Sequence, residues 1–201
     1  MSRQWNWLRL MAWVTLLMLG FLLSGSIHFA PLPHGAQREE AKVLARQLRE
    51  LNSDTRKLMI SELKLAQEMR VVLDELAKLP PADFQRRFQA FASELVNTRK
   101  QREELLAKFV GRQWQTPMVL AVEQGAMQQL KIDLARTQRW IELTEGVRLR
   151  VELGRTEGFP ELSLLSHQLD IFLQGKADLD PFQARIEALQ DAFRLRESDV
   201  D

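Results

Sequence analysis

Histidine is the first residue type to consider for chemistry here, because imidazole ligates metals and exchanges a proton near neutral pH. The chain contains His28, His34 and His167 and no cysteine. His28 and His34 flank a proline-rich stretch at a spacing that fits no familiar metal site, and completing one would need carboxylates from elsewhere. We interpret all three as interfacial, loop or structural residues. The sequence therefore predicts no metal site and no cofactor.

Neighbouring carboxylates are the next candidates, since two acids that face each other can act as general acid and base. Glu39–Glu40 and Glu103–Glu104 are adjacent on predicted helices, so their side chains point in different directions and are expected in solvent. The sequence also contains no HExxH, GxSxG, Walker A or GxGxxG motif. These observations predict a protein that is not an enzyme.

Charge and composition narrow the class further. Lys plus Arg total 28 against 27 for Asp plus Glu, so the chain lacks the basic excess of a nucleic-acid-binding protein. Gly and Pro are few, at nine and seven, and Leu, Ala, Gln, Glu and Arg are abundant. Such a composition favours helices. We predict an all-α protein that does not bind nucleic acid.

The most apolar stretch covers residues 10–30. Leu10 to Leu23 contains no charged residue, and the next formal charge after Arg9 is Arg38. A helix over 10–30 would span roughly 30 Å, the thickness of a bilayer core. Two tryptophans precede it, where interfacial aromatics are expected. We predict a single N-terminal transmembrane helix that contacts the lipid bilayer through residues 10–30.

A cleavable secretory signal is the alternative for residues 1–30, because a basic start, an apolar core and the small residues Ser24 and Ser26 also describe one. If the anchor is retained, both arginines of the first nine residues lie on one side of it, whereas residues 24–37 contain no Lys or Arg. This asymmetry favours a cytoplasmic N-terminus. For a bacterial source it predicts a single-pass inner (cytoplasmic) membrane protein with a periplasmic C-terminal domain.

Gly20 and Ser24 lie four residues apart within the predicted anchor. Small residues at this spacing let two membrane helices approach closely. Such pairs also arise often by chance. Packing of one anchor against another through Gly20 and Ser24 is therefore a hypothesis.

Residues 31–35 contain two prolines and predict a hinge, or a plain helix break, before the helical domain at 36–201. Helix A is predicted over about 36–79, with apolar residues alternating in steps of four and three. Thr55 and Glu62 interrupt this seam, either as solvated positions or as polar residues that set register or partner choice. The seam leucines predicted to bind a partner are Leu44, Leu48, Leu51, Leu58 and Leu65.

Four more helices are predicted after helix A. They are helix B over about 84–110, helix C from 117 to at least 145, helix D over 161–174 and helix E from 181. Helix B has an aromatic core cluster (Phe84, Phe88 and Phe91), with Thr98 and Arg102 at two seam positions. Residues 147–153 alternate between apolar and polar, so they either continue helix C or form a strand that pairs with another chain.

The predicted architecture is an N-terminal single transmembrane helix followed by an elongated antiparallel helical bundle, with three long helices plus a short helical hairpin. Helix A is longer than helix B or helix C, so part of its seam should remain for other envelope proteins or a second copy of the chain. We interpret the chain as a membrane-anchored accessory or scaffold protein that mediates protein–protein interaction in a cell-envelope complex. The alternative is a periplasmic helical sensor or chaperone, secreted if the signal is cleaved.

The anchor leads to a direct prediction. We expect the native chain to stay in the membrane pellet after a high-salt wash and to dissolve only in detergent, because an uncharged helix is stable in hydrocarbon. The intact mass of the purified protein should include residues 1–30. A mature chain that begins after Ser26 would show that the signal is cleaved and would contradict the anchor.

Overall fold

The computed structural model describes residues 34–109, 113–175 and 178–200. Over these residues the chain is helical and contains no strand. The elements are α1 (His34–Asp74), α2 (Pro81–Phe109), α3 (Pro117–Glu152), α4 (Pro160–Gln174), α5 (Gln183–Phe193) and a short 3-10 turn (Glu197–Asp199). For the described residues this confirms the all-α prediction and the helical bundle.

The predicted anchor at 10–30, with Gly20 and Ser24, lies outside the described residues. Among the residues that are described, none of the helices combines the length and the apolar character needed to cross a bilayer. Helix α1 begins at His34, so the last two residues of the predicted hinge at 31–35 are helical. The anchor and the membrane location remain predictions.

The question of residues 147–153 is settled by α3, which continues through this segment as a helix. Val147 and Val151 are four residues apart and both are buried, whereas Leu149 between them is exposed. A spacing of four places two side chains on one helix face. The strand alternative is therefore wrong, and the alternation reflects a half-buried helix.

Aromatic side chains form much of one of the two core clusters. Phe84 and Phe88 stack with ring centroids 4.1 Å apart, and Phe91 meets Phe88 edge-on at 5.7 Å. All three are buried, which confirms the aromatic core predicted for helix B. Trp140 of α3 belongs to the same cluster and packs edge-on against Phe172 of α4 at 4.9 Å.

The seam leucines of α1 are buried within a single copy of the chain. They are Leu44, Leu48, Leu51, Leu58 and Leu65. The first four share a core cluster with Ile186 and Leu189 of α5, and Leu65 packs in the aromatic cluster. The premise that helix A has more seam than its own fold can cover is therefore wrong, because the other helices of the bundle cover these leucines. These five leucines therefore offer no exposed surface to a partner in this structure.

Asn52 of α1 holds the start of α5 in place. Its side-chain amide donates a hydrogen bond to Asp180 Oδ1 at 2.9 Å, and its carbonyl oxygen accepts one from the backbone N–H of Phe182 at 3.1 Å. Phe182 is itself buried. The short hairpin of α4 and α5 is thus fixed against α1 by a specific polar contact in addition to apolar packing.

The start of α3 is closed by a residue from α1. Pro117 occupies the first turn, where its missing amide hydrogen has no cost, and the Thr116 hydroxyl makes no capping hydrogen bond. Instead, the carboxylate of Glu40 accepts the backbone N–H groups of Gln115 at 3.1 Å and Thr116 at 2.9 Å. The negative charge of this carboxylate also interacts favourably with the positive end of the α3 dipole.

This contact predicts a pH-dependent stability. Burial opposes ionisation of Glu40, but hydrogen bonds from Thr116 and Gln115 outweigh it, so the pKa of Glu40 lies below its ordinary value of 4.5. Because the pKa of Glu40 is lower in the folded state than in the unfolded state, the ionised carboxylate stabilises the fold above pH 4.5. This stabilisation is lost as the pH falls through the folded-state pKa. We expect Glu40→Gln to reduce the free energy of unfolding by about 1 kcal/mol at pH 7 and by less at about pH 3.

Urea denaturation of both proteins at the two pH values measures the difference. Glu39→Gln is the matched control, because Glu39 is exposed and makes only a surface ion pair with Lys42. We expect little change from it at either pH. An equal loss of stability at both pH values for Glu40→Gln would contradict the role of the ionised carboxylate.

Candidate functional site

Buried charged side chains meet where α1, α2 and α3 pack together. They comprise Glu62 of α1, Arg102 of α2, and Asp133, Arg136 and Thr137 of α3, which we call the ion cluster. The side chains of Glu62, Arg102 and Asp133 are at most 1% exposed. Arg136 lies at the edge and is 26% exposed. Three helices thus each contribute a buried polar side chain to the ion cluster.

Both carboxylate oxygens of Glu62 are used. Oε1 accepts hydrogen bonds from Arg102 Nε and from the Thr137 hydroxyl, each at 3.0 Å. Oε2 accepts from Arg102 Nη2 at 2.7 Å and from Arg136 Nη2 at 3.0 Å. The guanidinium of Arg102 therefore binds Glu62 with two parallel hydrogen bonds, the strongest geometry for this pair of groups.

Asp133 balances the charge of the ion cluster. Its Oδ1 accepts a hydrogen bond from Arg136 Nη1 at 2.9 Å, and its Oδ2 lies 3.4 Å from Arg102 Nη1. Two guanidinium groups thus face two carboxylates, and the net charge is zero. Because each buried charge has an opposite charge beside it, the cost of removing these groups from water is offset.

The polar interruptions of the α1 seam are buried. Thr55 and Glu62 both lie in the interior, so the interpretation of a solvated stripe is wrong. Glu62 instead fits the alternative of a polar residue that sets register, and its partner Arg102 comes from the same chain. One signal could have indicated this: Glu62 and Arg102 are opposite charges at seam positions of two consecutive helices.

A cavity of about 790 Å³ lies beside the ion cluster, between α3, α4 and the start of α5. This volume is within the range of small-molecule sites. Its apolar wall includes Trp140, Ile171 and Phe172, and Asp133 and Arg136 of the ion cluster also line it. The cavity therefore combines aromatic surface with charged groups whose positions are fixed by buried hydrogen bonds.

The other residues considered for chemistry lie elsewhere. His34 is exposed at the start of α1 and His167 is exposed on α4, while His28 lies outside the described residues. Glu103 makes a surface ion pair with Arg99. Within the described ranges, no group of three or more His, Asp or Glu side chains is arranged to hold a metal ion.

Comparison with known proteins does not supply a family. No protein-family model, no curated protein and no solved structure matches this chain. Fold and site together define an all-α bundle with a buried ion cluster and an adjoining cavity.

The ion cluster predicts a large and specific effect on stability. Arg102→Met removes the main partner of Glu62 and leaves that carboxylate undercompensated in the interior, so we expect the free energy of unfolding to fall by about 3–5 kcal/mol. The double variant Glu62→Met/Arg102→Met should be more stable than Arg102→Met, because Asp133 and Arg136 remain as a neutral pair.

Guanidinium denaturation of the full chain measures these differences. Arg86→Met is the matched control, since Arg86 is on the same helix but pairs with Asp83 at the surface, and we expect a change below about 1 kcal/mol. If the double variant lost as much stability as the sum of the two single variants, the buried pairing would not be the source of the effect.

Proposed function

We propose that the chain is a membrane-tethered helical scaffold that holds one other protein of a cell-envelope complex on the outer face of α4. The observation that supports the proposal is the composition of α4. Its apolar residues are Leu162, Leu164, Leu165, Leu169, Ile171, Phe172 and Leu173. Five of them face the core: Leu165 and Leu169 are buried, and Leu162, Phe172 and Leu173 are partly buried against it. Leu164 and Ile171 are exposed instead.

Leu164 and Ile171 form the uncovered stripe. Their exposed fractions are 44% and 58%, and a separation of seven residues places them two turns apart on the same face. Anchors at this spacing are typical of a helix that docks into an apolar groove of a partner. The stripe therefore suits a protein partner that presents a complementary groove.

The ion cluster supports the scaffold proposal because it fixes the positions of the helices on which α4 packs. It ties α1, α2 and α3 in one register, and α4 packs on these helices through Leu165 and Leu169. A scaffold needs a surface whose position is constant, and such a surface is best built on rigid helices. The predicted anchor at 10–30 would tether the chain to the membrane.

The alternative function, a helical sensor, is favoured by the cavity beside the ion cluster. A scaffold needs no concave site of this size. Ile171 belongs to the exposed stripe of α4 and also lines the cavity, so the two functions are separated at Leu164, which is not among the lining residues.

The scaffold is tested with Leu164→Glu/Ile171→Glu in the full chain. After cross-linking in intact cells and purification in detergent, we expect wild-type chain to carry one protein in constant stoichiometry, identified by mass spectrometry. The double variant should recover at least about tenfold less of it, because two buried aliphatic contacts are lost. The matched control is Val71→Glu/Val96→Glu, at two aliphatic residues that are 54% and 53% exposed.

Both variants should melt at the wild-type temperature, since substitutions at exposed positions change stability little. Equal recovery of the protein by the two double variants would rule out α4 as the docking surface. Recovery of only a second copy of the chain would show a homo-oligomer and contradict the proposed scaffold.

A further inference from the structure

Arginines dominate the charged groups in the wall of the cavity. Three of them, Arg136, Arg139 and Arg185, face two carboxylates, Asp133 and Asp178. Asp133 is already bound by Arg136 within the ion cluster, at 2.9 Å. Arg136 is also paired with Glu62, and Arg139 is paired with Glu142, so the positive charge that these ion pairs do not compensate is that of Arg185.

Arg185 is the strongest anion-binding candidate in this wall. Its Nη1 donates to the carbonyl oxygen of Pro181 at 3.0 Å, and its Nη2 donates to the carbonyl oxygen of Gly125 at 3.2 Å. Among the described residues it makes no ion pair with a carboxylate. Backbone carbonyls orient the guanidinium without neutralising it, so its charge remains available to a ligand.

Gly125 explains how Arg185 reaches this position. A Cβ at residue 125 would lie 3.2 Å from Arg185 Nε, which is tighter than an ordinary contact. Because residue 125 has no side chain, the guanidinium of Arg185 can lie directly against the backbone of α3. Glycine lowers helix stability relative to alanine, but at residue 125 it leaves the space that Arg185 occupies.

Aromatic rings form the apolar part of the wall. Trp140 and Phe172 meet edge to face, with an interplanar angle of 86° and centroids 4.9 Å apart. The guanidinium carbon of Arg136 lies 4.9 Å from the centroid of Phe172 and supports that ring. Pairs in this arrangement favour a further aromatic group over an aliphatic one, because ring edges and faces carry opposite partial charges.

We propose that this cavity binds a small aromatic monocarboxylate. Its carboxylate pairs with Arg185, and its ring system packs on Phe172 and Ile171. The volume of about 790 Å³ admits a molecule of two or three rings. Asp133 and Asp178 in the same wall disfavour ligands with several negative charges, such as polyphosphates.

Isothermal titration of the full chain in lipid nanodiscs tests this site, with empty nanodiscs as the blank. Biphenyl-4-carboxylate is the probe, and biphenyl-4-carboxamide is a neutral compound with the same ring system. We expect saturable one-to-one binding of the carboxylate, at least about tenfold tighter than the amide, since a charge-assisted hydrogen bond distinguishes the two. Equal affinity for both would overturn the assignment of Arg185.

Arg185→Gln should weaken carboxylate binding about tenfold and leave amide binding unchanged. Arg155→Gln, at an exposed arginine in the loop after α3, is the control and should change neither. Ala184→Trp places an indole ring in the wall next to Arg185, from an exposed position, and should weaken the binding of both compounds. If Arg185→Gln also lowers the melting temperature, the binding result for Ala184→Trp is used instead. Unchanged binding of both compounds by Ala184→Trp would overturn the site.

Dodecanoate separates an aromatic ligand from a lipid-derived one, because it has the same charge on a flexible chain. Tighter binding of dodecanoate than of biphenyl-4-carboxylate would overturn the aromatic assignment. The proposed scaffold is distinguished by Leu164→Glu, because Leu164 does not line the cavity. This variant should bind the carboxylate as wild type does, even where it loses the protein partner.

Discussion

The bidentate pairing of Glu62 with Arg102 is the contact on which the packing of the first three helices depends. Both groups lose their hydration, and the loss is offset only while each faces the other and Thr137 and Arg136 complete the hydrogen bonds. Sliding α1 by one turn would leave a buried charge without its partner. An apolar seam tolerates several registers, whereas the ion cluster permits one.

Arg136 connects this constraint to the cavity. It binds Glu62 and Asp133 on one side and supports the Phe172 ring on the other, so the wall of the cavity inherits the fixed geometry of the ion cluster. Phe172 belongs to α4, whose inner face is buried and whose outer face is exposed. The two proposed binding surfaces thus share one rigid support but face different ligands, a small carboxylate and a protein.

Local chemistry made most helices predictable. Helix D was expected over 161–174, and α4 spans Pro160–Gln174, because proline starts a helix readily and Gly175 ends this one. The aromatic core of α2 followed from its spacing. Helix A was expected to reach residue 79, but α1 ends at Asp74, and turns fill the remainder before Pro80. Pro80 and Pro81 therefore lie several residues after the last residue of α1 and do not mark the end of the helix.

By itself, the sequence determined the class of elements, their approximate limits and which faces are apolar, because these depend on residues within a few turns of each other. The tertiary structure alone decided that the α1 leucines are covered by the other helices of the bundle, that Glu62 meets Arg102, and that the guanidinium of Arg185 lies against α3 at Gly125. These contacts join residues far apart in the chain. Local periodicity shows that a position faces inward but cannot show which residue it will meet there.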